Sequence, residues 1–251
     1  MRDGWETEAG QWAAFARTPG HDSAHDHINL PALRELLPGP GGRTLDLGCG
    51  EGRIGRYLRS AGYLVVGADA SPTMVRLASG HPDAVPAMLA DAAALPFRDE
   101  AFDLVVAYMC LHDMDQMPRA VAEASRVLTP GGRLCASIPH PVNSAGAFQG
   151  RDPAAPFLIA GSYLDSGPAD WVADRDGVRL TFHSEHRPIE AYSRALEAAG
   201  LLIEAIRETR APDAVVAAAP GQRRWQRIPL FLHLRAVKPQ QPRPRSAGPR
   251  P

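Results

Sequence analysis

The residues whose types and spacing could do chemistry begin with Thr44 to Gly52, TLDLGCGEG. A short apolar run there ends in glycines at every second position, Gly48, Gly50 and Gly52. Glycine tolerates positive φ and puts no side chain between the backbone and a ligand, which a cofactor lying against a turn requires. Asp46, inside the run, can orient the turn or face a cationic ligand, but it would repel a phosphate. Gly50, Gly52 and Gly55 also satisfy GxGxxG, the dinucleotide pattern, which alone is weak. Asp69, ending the next apolar run, is a carboxylate acceptor for ribose hydroxyls in either case.

Segments further along the chain separate the two. Asp91 and Ala92 open DAAALPF after a third predicted strand, FDLVVAYMCLHDMD covers Phe102 to Asp115, and RVLTPGGRL covers Arg126 to Leu134. Five ordered segments between Asp46 and Leu134 resemble the motifs of the class I S-adenosylmethionine-dependent methyltransferases. The resemblance implies S-adenosylmethionine as cofactor. It implies that Asp46, Gly48, Gly50 and Gly52 hold the methionine end, and that Asp69 takes the ribose. Ala70, Met74, Asp91 and Ala92 would then border the adenosine, and Tyr108 and Met109 the methionine portion. A nicotinamide-dependent oxidoreductase, or an enzyme that keeps the cofactor without methylating, such as a cyclase, are the alternatives.

A catalytic base is needed only when the acceptor arrives protonated, and histidine suits that task near neutral pH. His112 just past the fourth strand and His140 just past the fifth are the candidates. Phe157, Tyr163, His183 and His186 are candidate substrate contacts, because His140 to Arg187 breaks the regular alternation at a strand end that opens onto the cofactor. That segment is read as an inserted substrate cap. His21, His25 and His27 lie close to Asp22 and Asp26, a spacing a divalent metal could use, but no recognisable ligand set is completed. No metal is expected, and the stretch reads as a solvated or substrate-facing loop.

Positioning these groups requires an α/β fold: a Rossmann-like, mainly parallel seven-stranded sheet with helices on both faces, an N-terminal helical lid and the cap after the fifth strand. Strands are expected near 44–47, 63–68, 85–89, 102–107, 133–138, 201–207 and 229–237, in the order 3-2-1-4-5-7-6 that the resemblance implies. Trp5, Ala9, Trp12, Ala13 and Ala16 form one apolar stripe of a helix over 1–17, and a second helix is expected over 31–37. Trp12 and Arg17 are lid candidates. Residues 1–237 form one domain, with 1–40 as N-terminal helices and 140–187 as the cap. Residues 211–224 read as a connection without internal period, and the Pro- and Arg-rich 238–251 as a disordered tail.

Composition limits the partners. The 251 residues carry a formal net charge of −1 with nine histidines, so no strong field draws the chain to nucleic acid or an anionic membrane. A small-molecule substrate fits better, and the oligomeric state is not legible. Cys49, Cys110 and Cys135 show no paired spacing, which reads as buried reduced thiols and a cytoplasmic setting. No apolar run reaches the ~18 residues of a membrane span.

Overall fold

The computed structural model describes residues 1–150 and 152–240. Seven strands form one sheet: β1 (Arg43–Leu47), β2 (Leu64–Asp69), β3 (Ala87–Leu89), β4 (Phe102–Tyr108), β5 (Leu128–Pro139), β6 (Leu202–Glu208) and β7 (Phe231–Val237). Their order is β6-β7-β5-β4-β1-β2-β3. β1 to β5 run parallel to one another, and β7 runs antiparallel to both β5 and β6. This is the Rossmann-like architecture and strand order expected.

The buried strands alternate their side chains between two layers, as a period of two requires. Leu45, Leu47, Val105, Ala107, Leu134, Ala136 and Ile138 face one core, filled from α5 (Met117–Val127) and α6 (Ile189–Ala198). Leu104, Val106, Tyr108 and Cys135 face the other, closed by Leu33 of α2 (Leu30–Leu36) and by Ile54 and Leu58 of α3 (Arg53–Ser60). Ser71 caps α4 (Pro72–Ser79), its hydroxyl accepting from the Met74 backbone at 3.0 Å.

Three stretches depart from expectation. Residues 21–29 are not a solvated loop: His25–Asn29 forms a π-helical turn running into α2, with His25, Ile28 and Asn29 buried. Residues 211–224 hold α7 (Asp213–Ala218) and the start of a 3₁₀ turn (Pro220–Gln226), because Ala211 and Val216 pack on Ile28 and Phe231. β5 begins before the glycine turn, since Gly131 donates to the Lys238 carbonyl at 2.7 Å and Lys238 returns a bond to Gly132. The tail read over 238–251 lies, beyond Gln240, outside the described residues. α1 (Arg2–Arg17) is the expected N-terminal helix.

The segment after β5 consists of short hairpins. Residues 146–148 pair with 157–159, and 171–175 with 178–182. The second hairpin packs on α1.

Candidate active site

Strand order reverses between β1 and β4, and in open α/β sheets the crevice at that point is where ligands bind. A cavity of about 620 Å³ opens there. Its floor is the turn after β1, with Gly48 at φ +66° and Gly50 at φ +54°. The two glycines answer different demands. A Cβ on Gly48 would stand 2.6 Å from Cys110 Cβ, inside protein, whereas one on Gly50 would meet only Trp12 Nε1, at 3.7 Å across the cavity.

Asp69 closes one end of the floor, its two oxygens accepting from Gly50 N at 2.8 Å and Ser71 N at 2.9 Å. Asp46 lies beneath the turn, 1% exposed, with no hydrogen bond of good geometry to Oδ2. Burial pushes its carboxyl up to about 7, against the opposing pull of the Gly55 backbone N–H. Glu51 is equally buried but fully satisfied, held by Arg17 Nε at 2.8 Å and by Arg56. Its neighbour Arg53 pairs with Asp22 at 2.8 Å and stacks over Trp12.

α1 roofs the cavity through polar and aromatic ties. Glu6 accepts from the Ser71 and Thr73 hydroxyls at the start of α4, which holds its carboxyl below the ordinary range. Trp5 donates to the His183 carbonyl at 3.0 Å. Trp5, Trp12, Phe15 and Phe182 stand edge-on or stacked with centroids 5.6–6.2 Å apart, and Trp171 stacks flat on Phe182 at 4.0 Å. Such contacts join α1 to the 171–182 hairpin.

Of the residues singled out from sequence, Asp46, Gly48, Gly50, Asp69, Ala70, Met74, Asp91, Ala92, Tyr108, Met109 and His112 line this one cavity. Gly52 does not: its α-carbon faces Ala78 and Arg56, and its φ of +89° serves the start of α3. The other exceptions are corrections of role. His140 caps a one-turn helix, its Nδ1 accepting from Val142 N at 3.1 Å while Nε2 donates to Glu208 at 2.9 Å, so neither nitrogen is left for a substrate. Phe157 packs on Phe148, which abuts Trp225. Tyr163 accepts from Ile189 N, and His186 is held between the Ser144 hydroxyl and the Tyr163 carbonyl. The His183 ring lies against Gly4 of α1 and faces Asp170. Each is tied by local structure and stands off the cavity wall.

His112 lies at the wall but is sealed. Its Nδ1 is buried without a partner and its Nε2 is 3.1 Å from Asp113, out of line for a hydrogen bond. Burial, assisted by the Arg187 charge, takes it down to about 3. Wall residues that sequence reasoning did not assign include Asn29, Trp171, Trp225 and Phe231. Nothing local marked Trp225. No trio of His, Cys, Asp or Glu among the described residues is grouped to hold a metal.

Residues 45–136 match the family model described as a methyltransferase domain. The chain is 29% identical to a malonyl-[acyl-carrier protein] O-methyltransferase of Salmonella typhimurium over 88% of its own length and 93% of that protein's. A crystal structure of an S-adenosylmethionine-dependent methyltransferase from Mesorhizobium loti superposes with a TM-score of 0.69 at 29% identity, covering 82% of this chain and 96% of that one. The chain is a class I S-adenosylmethionine-dependent methyltransferase. A demethylmenaquinone methyltransferase of Thermus thermophilus is 40% identical over 42% of this chain and half of its own length. S-adenosylmethionine is the cofactor that this methyltransferase takes, and the floor suits it: glycines at positive φ keep side chains off the turn at Gly48 and Gly50, and Asp46 and Asp69 bring carboxyl groups to the same cavity.

Proposed function

We propose that this methyltransferase acts on a compact organic acceptor inside the cavity, by in-line transfer. The observation that carries this reading is the enclosure of the floor: α1 and the 171–182 hairpin meet through Trp5, Trp12 and Phe182, and Trp12 stands against Gly50. When bound, the cofactor supplies an already activated methyl group, so the protein's task is positioning and exclusion of water. Asp46 would take the methionyl amine, Gly48 and Gly50 the methionyl backbone, and Asp69 the ribose hydroxyls. Ala70, Met74, Asp91 and Ala92 would flank the adenine, with Tyr108 and Met109 beside the transferred methyl. The acceptor would then lie against Asn29, Trp225 and Phe231.

The malonyl-carrier and menaquinone relatives differ in acceptor, so their names leave the class open. The cavity volume fits a cofactor with a small partner, and the net charge of −1 supplies no attraction for nucleic acid. Three buried free thiols and the absence, among the described residues, of any helix long and apolar enough to cross a membrane accord with a cytoplasmic setting. Residues 1–237 act as one domain in this reading. The test is transfer of tritiated methyl from S-adenosylmethionine to low-mass hydroxyl, amine and carboxylate compounds, beside tRNA and a malonyl-loaded carrier protein. Labelling of the macromolecules alone contradicts the proposal.

A further inference from the structure

One group at the cavity wall is used neither by cofactor contacts nor by the fold. His25 stands in the π-helical turn, 8% exposed, with Nδ1 2.8 Å from the Tyr108 hydroxyl, 83 residues away in sequence. The two rings meet edge to face at 5.5 Å. Nε2, at the other end of the imidazole, makes no hydrogen bond to a described residue, and the side chain lines the cavity. Tyr108 ends β4, where Met109 turns through φ +52° with its N–H fixed to the Ser137 carbonyl at 2.8 Å. A non-glycine residue held at positive φ marks a strand end whose direction is set by its surroundings. The other cavity histidines are committed or sealed: His21 pairs with Asp176 at 3.1 Å, and the free nitrogen of His112 is buried.

Resting on the methyltransferase reading above, we propose that Nε2 of His25 takes the proton released by the acceptor, with Tyr108 as the positioning residue that holds Nδ1–H. The acceptor is then a neutral O–H or N–H compound rather than a carboxylate. For such an acceptor, written X–H, an X–C bond forms as the C–S bond breaks with its electron pair left on sulfur. The sulfonium charge is lost, and the proton that balances it leaves X for a base. The Tyr108 hydroxyl can donate or accept; the proposal has it accept from Nδ1–H, which leaves the lone pair on Nε2.

Electrostatics agree with the geometry. Burial and the nearby Arg53 guanidinium bring His25 down to about 4, with Asp22 opposing them. The Tyr108 phenol is pushed up by burial, so it stays protonated and does not act as the base. His25 is therefore neutral near pH 7. A weak base suffices because X–H becomes far more acidic as the X–C bond forms.

The cations of the wall point to the same acceptor class. Among the described residues only Arg2 and Arg53 bring a fixed positive charge to it, and both are matched: Arg2 lies 3.9 Å from Asp91 and Arg53 2.8 Å from Asp22. An anionic acceptor finds no uncommitted guanidinium there and needs no base.

Two measurements on the full chain test this. In ¹⁵N-histidine-labelled protein with S-adenosylhomocysteine bound, His25 should show the Nδ1–H tautomer from about pH 8 to about pH 5; an Nε2–H tautomer overturns the proposal whatever the acceptor. His25→Asn keeps a donor at the place of Nδ1 and deletes Nε2. With 2-naphthol, aniline and benzoate as probes, methyl transfer should favour the first two, and kcat should fall roughly 100-fold or more in His25→Asn. Calorimetric affinity for S-adenosylhomocysteine should stay within about threefold of the unmodified protein. Wild-type turnover in His25→Asn, or preference for benzoate, overturns the role of His25. Failure of the unmodified protein to bind S-adenosylhomocysteine would instead sink the reading of the site.

Discussion

The backbone N–H of Gly50 donates to Asp69 Oδ2 at 2.8 Å, so the turn after β1 and the end of β2 are one hydrogen-bonded unit. Ser71 N holds the other oxygen at 2.9 Å, fixing the carboxylate before any ligand arrives. Preorganisation of this kind removes an ordering cost from binding. Asp69→Ala should therefore weaken S-adenosylhomocysteine binding by about 1.5 to 3 kcal/mol, the scale of hydrogen bonds to a charged group. Calorimetry on a variant with unchanged circular dichroism checks it, and wild-type affinity would show that Asp69 makes no ligand contact.

Asp46 gives a pH signature. Its carboxyl is raised to about 7 in the folded protein, against ~4 in an unfolded chain. Between those values the folded state holds more protons, so this group's stabilising contribution is fully present below about pH 4. It is lost as pH rises through about 7, with a slope of at most ~1.4 kcal/mol per pH unit. The melting temperature of the ligand-free protein should fall between about pH 4 and pH 7, and Asp46→Asn should flatten that fall. Ligand affinity should move the opposite way, rising with pH as the carboxylate ionises to meet the methionyl amine.

Gly48 separates folding from binding. An added Cβ collides with Cys110 at 2.6 Å, at a φ of +66° that side chains resist. Gly48→Ala should cost roughly 2 to 4 kcal/mol of stability from overpacking together with left-handed strain. A denaturant midpoint equal to wild type would contradict the packing at this turn.

His140 and Phe157 should now behave as structural residues. His140→Ala removes the cap of a short helix and should lower stability by about 1 kcal/mol. Phe157→Ala opens a half-buried hairpin contact and should cost about 1 to 2 kcal/mol. Neither should change kcat/KM more than about twofold, and a large fall in kcat for His140→Ala would return it to the site.

The sequence made the sheet and floor legible because both are local. The apolar run over 102–107 and the Ser71-Pro72 helix start are short-range signals, and the structure places β4 and α4 accordingly. The cofactor wall was legible for the same reason, since its residues sit at strand ends. The acceptor side was not. His25 gains its meaning from Tyr108 and the Trp225 wall from Phe148 and Ile28, contacts that span 77 residues or more and leave no spacing to read. His140, His183 and His186 looked available because a histidine at a strand end or in a loop carries no trace of Glu208, Asp170 or Ser144, the groups that occupy them.

The most direct test of the cofactor site is the affinity of S-adenosylhomocysteine for the unmodified protein and for Gly50→Val, measured by calorimetry with folding monitored in parallel. A Cβ on Gly50 would touch only the Trp12 indole, 3.7 Å away at the cavity wall, so the valine methyl groups would fill the space between the turn and Trp12 that a ligand must share. A tight site is expected in the unmodified protein, with at least a hundredfold loss in a variant that still melts cooperatively. Equal affinities would place the cofactor somewhere other than beneath Trp12.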